Sequence, residues 1–363
     1  MTAEEVRRAD LAMVVRRLDG EFAEMAGSRL LVTGGAGFLG YYLVQAALAA
    51  NDARRAEPIL VTVWDSYMRG VPEWLVHLSA RPDVEVAGHD VREPLPADTQ
   101  PFDYIIHAAG IASPTYYRRH PLATMDANID GLRSLLDFSV ETRPRGFLFF
   151  SSSEIYGDPP PEAIPTPETY RGNVSCTGPR ACYDESKRYG ETLCVTFAQH
   201  YGVPISMARP FNNYGPGMKI TDGRVIADFC RSIIDGDDIV MHSDGSPTRT
   251  FCYVADAIVG YYKVLVRGRP GEPYNIGTET PEISVSELAA RVAAVGRELL
   301  GYGGRVIHRS STEQAYLDDN PTRRSPSLTK SRAELGFEAE IGIDEGLRRT
   351  LAWYAGNRSG SEA

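Results

Sequence analysis

Between residues 3 and 26 apolar side chains recur at helical spacing. Leu11, Val14, Val15, Leu18, Phe22 and Met25 fall on one stripe, which predicts an amphipathic helix. Its other face mixes both charge signs. It is therefore expected to dock on the body of the protein or on a partner subunit, and not on a membrane surface. The period then changes. Short apolar runs at 29–33, 58–64, 84–91, 104–110 and 146–151 read as strands, and 41–50, 122–140 and 183–202 read as helices. Strands alternating with helices up to residue 208 predict a parallel, doubly wound α/β sheet, whose ligands collect at the carboxyl ends of its strands. After Arg209 turn-rich pieces take over. Helices at 225–235 and 284–300 are separated by strands near 238–242, 250–254 and 273–276. This predicts a smaller mixed α/β domain over 209–357, after an N-terminal helix (1–27) and a sheet domain (28–208), with some later segments returning to the sheet. The end of the chain, about 357–363, reads as frayed.

The turn after the first strand gives the sheet a ligand. In Gly34-Gly-Ala-Gly-Phe-Leu-Gly40 the glycines stand at 34, 37 and 40. Gly34 permits the tight turn, Gly37 lets backbone approach a pyrophosphate, and Gly40 lets the helix pack on the strand. The helix N-terminus then offers free N–H groups to phosphate, with Phe38 and Leu39 among the positions expected to bind the cofactor. This predicts a Rossmann-like dinucleotide domain. Asp65, at the end of the second strand, suits the ribose hydroxyls of NAD and would repel a 2′-phosphate, although Arg69 stands nearby. Asp90 and Val91 close the third strand, with Asp90 placed to meet an adenine amino group. Ala108 and Ala109 are small enough for a cofactor to cross the fourth strand's end, whereas His107 reads as a satisfied strand-end histidine.

Composition narrows the class. A net charge of -10 over 363 residues gives nucleic-acid binding no support. Five cysteines without metal-like spacing read as reduced thiols of a cytoplasmic protein, and no metal is expected. No run of 18 apolar residues occurs. Chemistry is carried by Tyr183-x-x-x-Lys187, where a lysine four residues on shares the tyrosine's helical face. Its positive charge is expected to pull the phenol down from its ordinary pKa of about 10, so that Tyr183 can take a proton from a sugar hydroxyl. A serine from the run 151–153 would share that proton. Arg224, Arg249, Arg323 and Arg324, placed in loops, suit a diphosphate through bidentate contacts.

These motifs resemble the extended short-chain dehydrogenase/reductases and, within them, the UDP-glucuronate decarboxylases, from about residue 28 to 355. The narrower likeness lies in Ser153-Glu-Ile-Tyr-Gly-Asp-Pro159, Gly178-Pro-Arg-Ala-Cys-Tyr-Asp184, Asp222-Gly-Arg-Val225 and Thr248-Arg-Thr-Phe-Cys-Tyr-Val254. The resemblance implies NAD as cofactor and Ser152, Glu154, Tyr183, Lys187 and Arg324 as catalytic residues. It implies Tyr117, Ser153, Asn212, Arg224, Val225, Arg249, Tyr253 and Arg324 around a nucleotide sugar. It also implies a homodimer joined through the helices near 121–140 and 183–202. Oxidation at C4 would make the sugar a β-keto acid that loses CO2, giving UDP-xylose if the ketone is reduced and a 4-keto pentose if it escapes.

Three positions depart from the family pattern: Asp126 where a lysine is common, Arg171 where tryptophan is common, and Ser327 where aspartate is usual. A 4,6-dehydratase ranks low, because Ser153 replaces its acid. A 4-epimerase is the runner-up. A non-catalytic NAD-bound scaffold is disfavoured by the intact Tyr183, Lys187 and Ser152.

Overall fold

The computed structural model describes residues 1–54, 57–309 and 321–357, so most of the end predicted to fray lies outside the described residues. The chain starts with Ala3–Arg17 (α1), closed at its N-terminus by a reciprocal Thr2–Glu5 capping box. The predicted single helix breaks at Leu18 and resumes as Asp19–Glu24 (α2). Asp19-Gly20, two poor helix formers, follow the break directly. The apolar stripe is buried all the same, with Val15 partly so, and it packs on the body of this same chain.

The sheet half runs Arg29–Thr33 (β1), Phe38–Ala53 (α3), Leu60–Asp65 (β2), Glu73–Leu78 (α4), Val84–Gly88 (β3), Tyr104–His107 (β4), Pro114–Arg119 (α5), Pro121–Thr142 (α6), Gly146–Phe150 (β5), Ala181–Tyr201 (α7) and Ile205–Pro210 (β6). Short strands follow at Asn213–Tyr214 (β7), Ile239–Met241 (β8), Thr248–Arg249 (β9) and Cys252–Tyr253 (β10). Val225–Asp235 (α8) lies before β8, and Val254–Arg267 (α9) after β10. Pro273–Ile276 (β11), Ile283–Ser284 (β12), Val285–Leu300 (α10), Val306–His308 (β13) and Arg323–Arg324 (β14) precede helices Thr329–Leu335 and Ile343–Gly356. The pattern of apolar positions had not marked α9 or these last two helices.

Seven strands form one parallel sheet in the order β11-β6-β5-β4-β1-β2-β3. Both faces are covered, so Leu30-Leu31-Val32 and Phe147-Leu148-Phe149 are fully buried and unalternating. One face packs on α6 and α7 through Leu132, Leu136, Leu193 and Phe197. The other packs on α3 and α9 through Tyr42, Val44, Ile258 and Tyr262. Strand order reverses between β1 and β4, which opens a crevice at their carboxyl ends.

Candidate active site

The cofactor end of the crevice is built from absent side chains. Gly34 has φ +71°, and a Cβ there would lie 2.6 Å from the Ala109 nitrogen and 2.7 Å from the Ala108 carbonyl. Gly37 caps α3 with no side-chain hydrogen bond, so the first N–H groups, at Phe38, Leu39 and Gly40, face the turn without a side-chain acceptor. Asp65 accepts from Ala36 N (3.0 Å) and Tyr67 N (2.8 Å), which fixes its carboxylate beside the glycine turn. Burial raises its pKa, against the two backbone donors. Arg69 does not wait for a 2′-phosphate. Its guanidinium pairs with Asp222 at 2.7 Å and lies 4.8 Å from the Tyr116 ring centre. Asp90 is paired with Arg92 at 2.5 Å. Val91 is buried, with its side chain facing Gly131 of α6, so only its backbone is left for a ligand. Taken together, these residues fit NAD. Gly34→Ala should keep the fold but lose most dinucleotide affinity, measured by calorimetry, because its Cβ would push Ala108 and Ala109 out of line.

Tyr183 and Lys187 stand on α7, whose first turn points at the end of β5. Tyr183 is 6% exposed, its ring stacked on Tyr117 at 5.2 Å and 12°. Its hydroxyl bonds Ser152, whose Oγ also accepts from Glu154 N at 3.2 Å. Lys187 donates to the Phe150 carbonyl at 2.8 Å and lies 5.8 Å from the Tyr183 ring centre. Here the sequence expectation is corrected. Burial pushes the Tyr183 phenol up to about 12, with Ser152 opposing, and pulls Lys187 down to about 7. Two ionisable groups removed from water together each resist charging more than one can help the other. His107 is neutral, lowered to about 3 by burial, with Nδ1 on the Thr33 hydroxyl.

The sugar end is an arginine cluster around one carboxylate. Glu154, on the turn Ser153–Tyr156, receives the Arg324 fork at 2.5 and 2.6 Å, and its Oε2 also accepts from Arg180. Despite burial, Arg324 and Arg180 hold its carboxyl far below the ordinary carboxylate range. Arg249 lies opposite Arg324 in the paired strands β9 and β14. Burial, and then repulsion from Arg324, lowers it to about 10. Asp184 stands 3.5 Å from Arg180 Nε, and burial and Glu154 raise it to about 7. The folded protein therefore keeps a proton on Asp184 that the unfolded chain loses near pH 4. Stability from this group is full below that pH and is lost as pH rises through about 7. Asp184→Asn should thus raise the melting temperature by about 2–4 °C at pH 8, with no gain at pH 4, as read by thermal denaturation.

In the sequence Arg180 and Asp184 stand out only as members of the motif Gly178–Asp184. Their signal was spacing: three residues before and one after Tyr183, at the start of its helix. Ser153 is buried at the start of the Glu154 turn. Asn212, with φ +41°, gives its amide to the Thr250 carbonyl. Arg224 caps α8 just before Val225, pairs with Asp222 at 3.2 Å, and lies 5.9 Å from the Phe38 ring centre. Two expectations fail. Tyr253 is fully buried and gives its hydroxyl to Asp10 of α1, so it does not face the crevice. Arg323 turns outward to Glu282 at 2.6 Å, because adjacent strand residues alternate faces and Arg324 takes the inner one.

A parallel sheet with a glycine-lined crevice at its reversal point, and a Tyr–Lys pair beside it, defines a dinucleotide-binding enzyme of the extended short-chain dehydrogenase/reductase fold. The chain belongs to the NAD dependent epimerase/dehydratase family, which matches residues 30–277. It is 37% identical over 319 residues to UDP-glucuronic acid decarboxylase 3 of Arabidopsis thaliana, covering 88% of this chain and 86% of that one. It is 34% identical over 332 residues to UDP-glucuronic acid decarboxylase 1 of Xenopus tropicalis, covering 92% and 73%. Among solved structures, the dTDP-glucose 4,6-dehydratase of Streptomyces venezuelae with NAD bound superposes with a TM-score of 0.78 at 26% identity, over 91% and 98% of the two chains.

Proposed function

We propose that this chain decarboxylates UDP-glucuronate to UDP-xylose through a 4-keto sugar. The observation that carries this reading is the cluster itself. Arg180 and Arg324 meet at a single ionised carboxylate beside Tyr183, with Arg249 close by and turned to the Thr248, Thr322 and Pro321 carbonyls, which leaves positive charge for an acidic sugar. When bound, NAD supplies a hydride acceptor for C4 and, in its oxidised form, a positive charge. Tyr183 takes the proton of the 4-hydroxyl, sharing it with Ser152. Lys187, fixed on the Phe150 carbonyl, steadies the resulting phenolate. Once C4 is a ketone, the acid group on C5 is β to it. CO2 then leaves with the bond's electrons held as an enolate while the arginines orient the departing group; a proton taken up at C5, return of the hydride to C4 and of the Tyr183 proton to its oxygen complete UDP-xylose. Arg224 and Arg249 flank the diphosphate. The test is mass spectrometry of the product from NAD and UDP-glucuronate. Loss of CO2 with a reduced pentose supports the reading, and an unchanged mass with inverted C4 replaces it with an epimerase.

The proposal includes a homodimer through the outer faces of α6 and α7, where Leu122 is 70%, Tyr189 50% and Tyr201 49% exposed. A Leu122→Glu, Tyr189→Glu variant should sediment as a monomer where the parent is a dimer. All five cysteines are unpaired, which suits a reducing cytoplasm. Among the described residues no helix is long and apolar enough to cross a membrane.

A further inference from the structure

Four buried polar atoms at the sugar end lack a hydrogen-bond partner among the described residues: Arg180 Nε, Arg324 Nε, Asp184 Oδ1 and the Tyr117 hydroxyl. These atoms give the sugar end hydrogen-bonding capacity that the side chains around it do not use. The paired atoms are as informative. Arg324 spends both terminal nitrogens on Glu154, which is the edge that a guanidinium offers to a carboxylate. An incoming sugar carboxylate that needs this edge has to displace Glu154. The displaced carboxylate would then sit in a low-dielectric pocket, at a cost that forbids the exchange unless another cation keeps it. Arg180 is that cation. It reaches Glu154 Oε2 from the start of α7, a different element from the β14 strand that carries Arg324.

We propose that Arg180 is a positioning residue: it holds Glu154 while Arg324 is handed over to the carboxylate of the sugar. The idea rests on the uronate reading above and gives Glu154 two states. In the free protein Glu154 is shared between two arginines. With substrate in place it belongs to Arg180 alone, ionised and close to the reacting carbon. Asp184 lies on the far side of Arg180, against its Nε at 3.5 Å, and so leaves the terminal nitrogens to Glu154. The groups facing Glu154 are Arg180 at the N-cap of α7, Tyr183 and Asp184 on α7, Tyr117 on α5, Arg249 on β9 and Arg324 on β14. Of these, only Arg180 and Arg324 hydrogen-bond its carboxylate.

The experiment is a double-mutant cycle on the NAD-loaded protein, using Arg180→Gln, Glu154→Gln and the pair, with binding of UDP-glucuronate and of UDP measured by calorimetry. Arg180→Gln should weaken UDP-glucuronate by about tenfold or more, the size of a lost charged hydrogen bond, and leave UDP unchanged. In the Glu154→Gln background the same change should cost little, because no charge is left to be held. The acidic limb of the kcat profile should move to higher pH in Arg180→Gln, and Arg180→Lys should recover most of both effects. A merely structural role would weaken UDP as well and would leave the pH limb in place. Equal losses in both Glu154 backgrounds overturn the proposal. If Arg180→Gln does not fold, Arg180→Lys carries the same cycle, with a smaller loss confined to UDP-glucuronate. If the parent protein binds UDP-glucuronate and releases CO2 but the cycle shows no coupling, only this inference falls. If the parent does neither, the uronate reading falls and takes this one with it.

Discussion

Tyr183→Phe will lower CO2 release from UDP-glucuronate by about 10²–10⁴-fold, the usual range for a lost acid–base group, while NAD still binds. The change removes one oxygen and its bond to Ser152 but keeps the ring and its stack on Tyr117, so neither a cavity nor a new charge is introduced. The fold should therefore melt within a degree or two of the parent. The phenol is a specific loss because burial holds its proton firmly, pushing it up to about 12. Neither nearby nitrogen base replaces it: His107 is neutral with its Nδ1 on Thr33, and Lys187 is tied to the Phe150 carbonyl. Calorimetry with NAD and trapping of released CO2 check both halves. Turnover within tenfold of the parent would remove Tyr183 from the chemistry.

Glu154→Ala should act on stability and turnover in different ways. It leaves Arg180, Arg249 and Arg324 facing one another without their shared anion. Removing one partner of a fully buried pair costs about 3–5 kcal/mol. The side chain of Glu154 is 21% exposed, so about 2–3 kcal/mol is the expected loss in chemical denaturation. UDP-glucuronate should restore much of this, because its own carboxylate fills the gap, whereas UDP should not. KM for UDP-glucuronate should hold or fall while kcat drops by about 10²-fold. A rise in KM with unchanged kcat would make Glu154 a plain binding residue.

The elements that set the crevice were legible because their signals are local. Leu30-Leu31-Val32 followed by Gly34-x-x-Gly37-x-x-Gly40 is a strand, a turn and a helix start within a dozen positions, and the strand–helix alternation carried the parallel sheet with it. What could not be read depended on partners far along the chain. Tyr253 stood within a motif of the family, yet its hydroxyl is claimed by Asp10, 243 residues away. Arg323 and Arg324 are neighbours of identical chemistry, and only the pairing of β14 with β9 decides which one turns inward. The Tyr183 and Lys187 pair was legible as a spacing, but its ionisation was not, because burial is a property of the whole fold. Arg180 was passed over for the same reason: its partner Glu154 lies 26 positions earlier, on the turn after a different strand.

Asp10 also ties the two ends of the molecule together. It accepts from Tyr42 of α3 and Tyr253 of β10, each at 2.6 Å, and from Arg349 at 2.7 Å, 339 residues further on. A ribosome therefore delivers this carboxylate long before the cation that completes its shell. Until the last helix emerges, the greasy side of the first one has no finished surface to close against. A nascent chain stalled short of Arg349 should engage holding chaperones even though its nucleotide crevice has already been synthesised in full.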